Sequence, residues 1–241
     1  MAVKPLNERQ LFRMKRVSLE KRINQYYSET QDVDSVIEYG MAVLVFNAIT
    51  MTNYSFICKH LFKEIFLTSE PTDILREYCL YFYDYFEYHE WEIVRDRLFK
   101  NRAEFSERTR AIRPETKYVR AASVPTNKKL DWLYENYLEE WQRKLAVKER
   151  YNYALNTVFL DENGKRHKQK FLNADVSIPP TKLKTLLELL TRLTIFEKNG
   201  VRRFYESVYP ECEVSVGRKH YADEAKDAAY LQRKREEAET L

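Results

Sequence analysis

Glycine is scarce in this chain: four of 241 residues, Gly40, Gly164, Gly200 and Gly217. Average usage of about 7% gives roughly four times as many. Sheet-rich folds rely on glycine for tight turns and bulges, so the shortage argues against a predominantly β protein and for helices joined by few loops. It also removes backbone phosphate cradles. Neither G-x-x-x-x-G-K-[ST] nor G-x-G-x-x-G occurs, and no G-x-S-x-G elbow is present.

Cysteine is equally sparse. Cys58, Cys79 and Cys212 are odd in number, far apart and set among apolar or aromatic neighbours. That pattern fits buried thiols in a reducing compartment better than a disulfide framework. No Cys-x-x-Cys exists for zinc, and His60, His89, His167 and His220 stand in unrelated settings. A di-iron bundle needs Glu-x-x-His on each of two helices, and no such pair occurs. Cys58 and His60 are close in sequence, but two residues apart on a helix they point in different directions. We therefore name no catalytic residue, no metal ligand and no cofactor, and expect a protein that is not an enzyme.

A long apolar run is also missing. The most apolar stretch, "MAVLVFNAITM" from Met41 to Met51, falls well short of the ~20 residues that span a bilayer. The first residues, "MAVKPLNERQLFRMKR", lack the apolar core of a signal peptide. The expectation is a soluble intracellular protein, cytoplasmic or packaged within a viral particle, with no membrane contact.

What is present is helical periodicity. A first helix is expected from about Asn7 to Ser28, with Phe12, Leu19, Ile23 and Tyr26 on one stripe. Asp32 or Asp34 caps a second, whose continuation "VIEYGMAVLVFNAI" is apolar all round and so belongs at the centre of a bundle. A third runs from about Asn53 to Leu67, with Phe56, Ile57, His60, Leu61 and Ile65 on its inner side and Glu70-Pro71 closing it.

The stretch "REYCLYFYDYFEYHEWEIV", Arg76 to Val94, reads as part of one helix from Ile74 to Leu98. In that reading Ile74, Tyr78, Phe82, Tyr85, His89 and Ile93 line one apolar face, Phe86 broadens it, and Leu80, Tyr88 and Trp91 line a second. Two such faces fit a helix wedged between neighbours, each ring burying roughly 150–250 Å². Base stacking requires exposed rings beside cations. Between Glu77 and Val94 there is no Lys or Arg, only acids, so the stretch reads as core.

A long helix is expected from about Asn127 to Thr157, striped by Leu130, Leu133, Tyr137, Trp141 and Leu145. In "VFLDENGKRHKQKFL", Val158 to Leu172, Asn163-Gly164 predicts a β-hairpin with a two-residue type I′ turn. That register sets Glu162 opposite Lys165 and Asp161 opposite Arg166. A leucine-striped helix follows (Leu183, Leu186, Leu187, Leu190, Leu193), stopped by Asn199-Gly200. "VRRFYESVY" reads as a short helix ending at Pro210, and a charged helical tail begins near His220.

The fold class expected is mainly α, a multi-helix bundle with one β-hairpin insertion at about 158–172 and a charged C-terminal helix. The expected division is an N-terminal bundle over 1–107, a basic loop over 108–126, the long helix, hairpin and leucine-rich helix over 127–218, and the tail over 219–241, all compatible with one domain.

The net charge of +4 is a small excess on a highly charged surface, so its location matters more than its size. Three clusters stand out. One is the first helix, with Arg9, Arg13, Lys15, Arg16, Lys21 and Arg22. The second is the central loop, where Arg108, Arg110, Arg113, Lys117 and Arg120 face a single acid, Glu115. The third is the hairpin arm with Lys165, Arg166, His167, Lys168 and Lys170. The candidate anion or nucleic-acid contacts are the bases of the loop together with Lys165, Arg166, Lys168 and Lys170 of the arm.

Two functions follow from this profile. The first is a non-enzymatic structural or adaptor subunit of a larger assembly, such as a viral or phage structural part, with protein partners or self-association. The alternative is a DNA- or RNA-binding accessory protein whose basic loop and hairpin contact phosphates.

Overall fold

The computed structural model describes residues 3–109 and 151–218. Its N-terminal part is helical: α1 (Glu8–Arg13), α2 (Arg16–Thr30), α3 (Val33–Ile49), α4 (Lys59–Thr68), α5 (Asp73–Tyr78), a 3-10 segment (Cys79–Tyr85), α6 (Tyr88–Leu98) and α7 (Arg102–Arg108).

Asn7 starts α1 with a capping box. Its side chain accepts from the Gln10 N–H at 3.0 Å, and Gln10 Oε1 accepts from the Asn7 N–H at 3.1 Å, which satisfies two donors a helix start leaves orphaned. The single helix expected to Ser28 is instead broken after Arg13, because Met14 and Lys15 are extended. The Tyr54 hydroxyl donates to the Met14 carbonyl at 2.7 Å and so gives the break a hydrogen-bond partner. The change of direction lets Phe12 meet Phe46, Phe171 and Phe196 while Leu19, Ile23 and Tyr26 are buried from α2.

α3 is the axis of the molecule. Asp32 caps it, accepting from the Ser35 N–H at 3.1 Å and from the Tyr26 hydroxyl at 2.9 Å. From Val36 to Ile49 every side chain but Leu44 is buried, as a helix apolar on all sides demands. α1, α2 and α5 pack around it. Each fully buried Val, Ile or Met on α3 contributes roughly 1.5–3 kcal/mol relative to exposure.

The third helix begins later than expected. Phe56 and Cys58 adopt positive φ in a turn ahead of α4, leaving Phe56 44% exposed and His60 on the surface. Asn47, buried on α3, holds this turn by accepting from the Tyr54 N–H at 2.8 Å.

The aromatic run is not one helix. Thr72 caps α5, and Glu87 with Glu90 forms a second capping box that starts α6 afresh. Between them the chain tightens to 3-10 winding, whose three-residue period sets Phe82 and Tyr85 above one another. Tyr78, Phe82 and Tyr85 are buried as expected. Beyond the break both expected faces fail in part: His89 and Ile93 of the first are on the surface, Ile93 at 50%, and Tyr88 of the second is 71% exposed, while Trp91 stays buried.

The second part is a small antiparallel sheet with one helix. β1 (Tyr151–Leu160) is a strand from its first described residue, so Tyr151 to Thr157 do not end a long helix. The rest of that expected helix lies outside the described residues. β2 (Arg166–Leu172) pairs along one edge of β1. The other edge is shared end to end by β6 (Glu213–Arg218) and β5 (Glu206–Ser207). The hairpin is therefore part of a sheet.

Its turn also differs. Leu160 pairs with Arg166, Phe159 with His167 and Ala154 with Leu172, one residue off the expected register. The Gly164 N–H donates to the Asp161 carbonyl and only Gly164 has positive φ, which makes a three-residue loop with a glycine bulge. Asp161 selects it: Oδ1 accepts from the Asn163 and Lys165 N–H groups, both at 2.9 Å, an Asx arrangement that favours this turn over I′.

α8 (Pro180–Arg192) packs on α3 through its leucine face. It stops before Asn199-Gly200 because Leu193 turns extended and the Thr194 and Ile195 N–H groups are captured by Glu38. Asn199 and Gly200, at φ 54° and 75°, instead form the I′ turn between β3 (Glu197–Lys198) and β4 (Val201–Arg202). "VRRFYESVY" is not a helix: β4, β5 and a 3-10 turn (Tyr209–Glu211) occupy it, with the Tyr205 and Val208 N–H groups bonded to β1 carbonyls.

One hydrophobic cluster joins the two parts. Leu155, Phe159 and Phe171 from the sheet lie with Phe12, Phe46 and Phe196. Backbone bonds from Met51 to Asn173 and from Asp175 to Ile49 stitch the end of α3 to the chain leaving β2. No helix among the described residues is long and apolar enough to cross a membrane. The charged tail expected from His220 lies outside the described residues.

Candidate anion-binding surfaces

Of the central cluster, Arg110, Arg113, Lys117 and Arg120 lie outside the described residues. Arg108 ends α7, where its guanidinium lies 3.6 Å from Asp73 on the surface.

The hairpin cluster is fully described. Period-two geometry puts Arg166, Lys168 and Lys170 on the solvent face of β2 and turns Phe171 into the core, with His167 and Gln169 half-buried on its side. Lys165 is exposed in the turn. Acid and base do meet here, through different partners from those expected. Arg166 pairs with Glu211, and His167 Nε2 lies 2.8 Å from Asp161 Oδ2. That hydrogen bond from His167, with the turn N–H groups, holds the Asp161 carboxyl below the usual carboxylate range. Lys168 and Lys170 have no ion-pair partner among the described residues.

The first-helix cluster is divided by the break at Met14. Arg9, Arg13, Lys15 and Lys21 are exposed, Arg16 pairs with Glu20 at 3.0 Å, and Arg22 donates to the Lys4 carbonyl.

The thiols carry no reactive signature. All three are free, and burial pushes Cys58 and Cys79 up to about 12, far from the depressed values that make thiolates nucleophiles. Among the described residues no three His, Cys, Asp or Glu side chains gather as metal ligands.

Sequence reasoning passed over Glu38. It is 1% exposed at the heart of α3, and the loss of hydration there raises its pKa. Its Oε2 accepts from the Thr194 N–H at 2.8 Å, the Thr194 hydroxyl at 2.9 Å and the Ile195 N–H at 2.9 Å. These bonds fix the 3-10 turn after α8 (Thr194–Phe196) against the central helix, and Oε1 has no hydrogen-bond partner. A lone acid within "VIEYGMAVLVF" is the signal for it, because an unpaired charge at such a position is costly.

Compared with protein-family models, with curated proteins and with solved structures, the chain matches none.

Proposed function

We propose that the protein is a non-enzymatic subunit of a larger assembly, engaged through the β6 edge of its sheet. One observation carries this reading: the two edges of the sheet are dressed differently. β2 presents Arg166, Lys168 and Lys170, and charged side chains on an edge strand deter pairing with another chain. β6 has no strand beyond it among the described residues, and Val214 and Val216, 48% and 60% exposed, stand on one face of it beside Leu155 and Tyr153 of β1. An apolar edge of this kind accepts a strand from a partner: the backbone supplies affinity and alternate side chains supply specificity. Two β6 edges related by a two-fold axis satisfy both requirements with one surface.

Light scattering of the full chain over a concentration series tests this. The expected result is a mass rising from monomer towards dimer, abolished by Val214→Lys with Val216→Lys. Both side chains are exposed, so the variant keeps its fold. A chain that stays monomeric throughout and behaves like the variant sinks the reading.

A second reading, contact with nucleic-acid phosphates, is favoured by the alternation of Arg166, Lys168 and Lys170 on one open face. Lysines at such a strand bind phosphate without reading sequence. Replacing Lys168 and Lys170 by alanine is then expected to weaken DNA or RNA binding alike for all sequences. The slope of log affinity against log salt shrinks by roughly 2. An unchanged slope assigns the lysines to guarding the edge.

A further inference from the structure

We infer that a groove along α6 binds a nucleotide unit, a planar base at one end and a phosphate at the other. The groove holds about 420 Å³, within the roughly 300–1,000 Å³ of small-molecule sites. One wall is a single helical stripe, since Tyr88, Glu92, Arg95 and Phe99 recur at three- and four-residue spacing. At about 1.5 Å per residue that stripe runs roughly 15 Å. Phe99 is buried, so the groove has an apolar floor at its Lys100 end.

The two ends differ in chemistry. At one stands Tyr88, 71% exposed, whereas Tyr78, Tyr81 and Tyr85 of the same run are each 3% exposed or less. At the other stand Lys100 and Arg102, both exposed and without an ion pair among the described residues, although the Lys100 N–H donates to Glu104 Oε2 at 2.6 Å. Between them Arg95 and Asp96, 2.8 Å apart, neutralise each other. Glu92 is one turn from Tyr88. A carboxylate there repels a phosphate and accepts from the amine of a base or the hydroxyl of a ribose. Charge is thus sorted along the groove and sets one orientation: the ring on Tyr88, the phosphate at Lys100 and Arg102.

An isolated exposed tyrosine is unremarkable by itself. An exposed ring that shares one groove with cations free of ion pairs is the combination that base stacking and phosphate contact require. The stretch from Glu77 to Val94 has no cation of its own, and the fold supplies them from just beyond it. This groove shares no residue with the β6 edge, so the failure of either proposal leaves the other standing.

The test is calorimetric titration of the full chain with AMP and with pyrophosphate, and fluorescence anisotropy with a labelled oligodeoxyadenylate. AMP is expected to bind with an affinity that falls with salt. Lys100→Ala with Arg102→Ala weakens AMP and pyrophosphate together. Tyr88→Ala weakens AMP about tenfold and leaves pyrophosphate unchanged, while Tyr88→Phe, which keeps the ring, retains AMP. If the oligonucleotide binds with the same Tyr88 dependence and AMP does not, the nucleotide recognised is one within a strand. The proposal is overturned if neither ligand binds, if Tyr88→Ala is silent for both, or if pyrophosphate binds as well as AMP.

Discussion

Replacing Gly40 by valine is expected to destabilise the protein by about 3 kcal/mol, the upper range for overpacking a filled core. Gly40 lies within α3, and its role is steric. A Cβ placed there meets Phe62 Cζ at 2.6 Å, Phe82 Cζ at 2.8 Å and Phe62 Cε1 at 2.9 Å. Neither ring has room to yield. Phe62 and Phe82 are both 0% exposed, their centroids are 4.9 Å apart, and each also packs against Tyr85, at 5.9 and 5.3 Å. Moving one ring therefore displaces the others. Alanine separates the two effects at this site. Helix propensity alone predicts a gain of about 0.8–1.0 kcal/mol over glycine, so a net loss on urea denaturation isolates the clash. An alanine variant more stable than the parent would show that the rings yield.

The second large effect is expected at Phe171, where truncation to alanine costs about 3–5 kcal/mol. Phe171 is the one β2 side chain fully in the core. Its ring lies 5.2 Å from Phe12 of α1, edge-on, and 6.3 Å from Phe46 of α3, so it ties the sheet to the helices. A domain's whole stability is only about 5–15 kcal/mol. The variant's urea midpoint should therefore fall steeply. A double-mutant cycle of Phe12→Leu with Phe171→Leu should return a coupling of about 0.5–1.5 kcal/mol. Additive losses would mean that the two rings are neighbours without being partners.

Much of the helical part was legible because burial enforces periodicity. The all-round apolar character of α3 announced a central helix, and the side chain of Asp32 announced its start. Leu19, Ile23 and Tyr26 pointed inward as their spacing required. Failures came where hydrogen bonds from distant residues overrode local pattern. Nothing near Arg13 marks a helix end, since the hydroxyl that completes the break comes from Tyr54. Nothing near Arg192 marks one either, since its cause is Glu38, 156 residues from Thr194. Asn-Gly was read as an I′ turn at Asn163-Gly164 and as a helix stop at Asn199-Gly200, and neither reading held. At Asn163-Gly164 the Asp161 carboxylate imposes a different turn, and at Asn199-Gly200 the I′ form appears as a separate hairpin. Tyr151 to Thr157 lacks the strict alternation of a half-buried strand because β1 is central, with both edges paired and Ala154, Leu155, Thr157 and Val158 all buried.

The candidate site was legible only in part. Spacing identified Arg166, Lys168 and Lys170 as part of a basic cluster, and the observed strand adds that they share one face. It hid the groove, since Tyr88 counted as core in a continuous helix and comes to the surface only because α6 starts anew at Glu87. It also hid the β6 edge, whose valines acquire meaning only from their position beside β1.

The buried acid on the central helix sets an order of events during synthesis. Residues up to 109 leave the ribosome first, with Glu38 already committed to a helix that must be enclosed. Its three donors belong to Thr194 and Ile195. Until that segment emerges, the nascent chain holds a carboxylate it can neither hydrate nor satisfy once packed. The early helices are therefore expected to pack fully only once the late turn is present to receive Glu38, so a fragment ending at residue 109 should be cut by protease faster than the same helices in the whole chain.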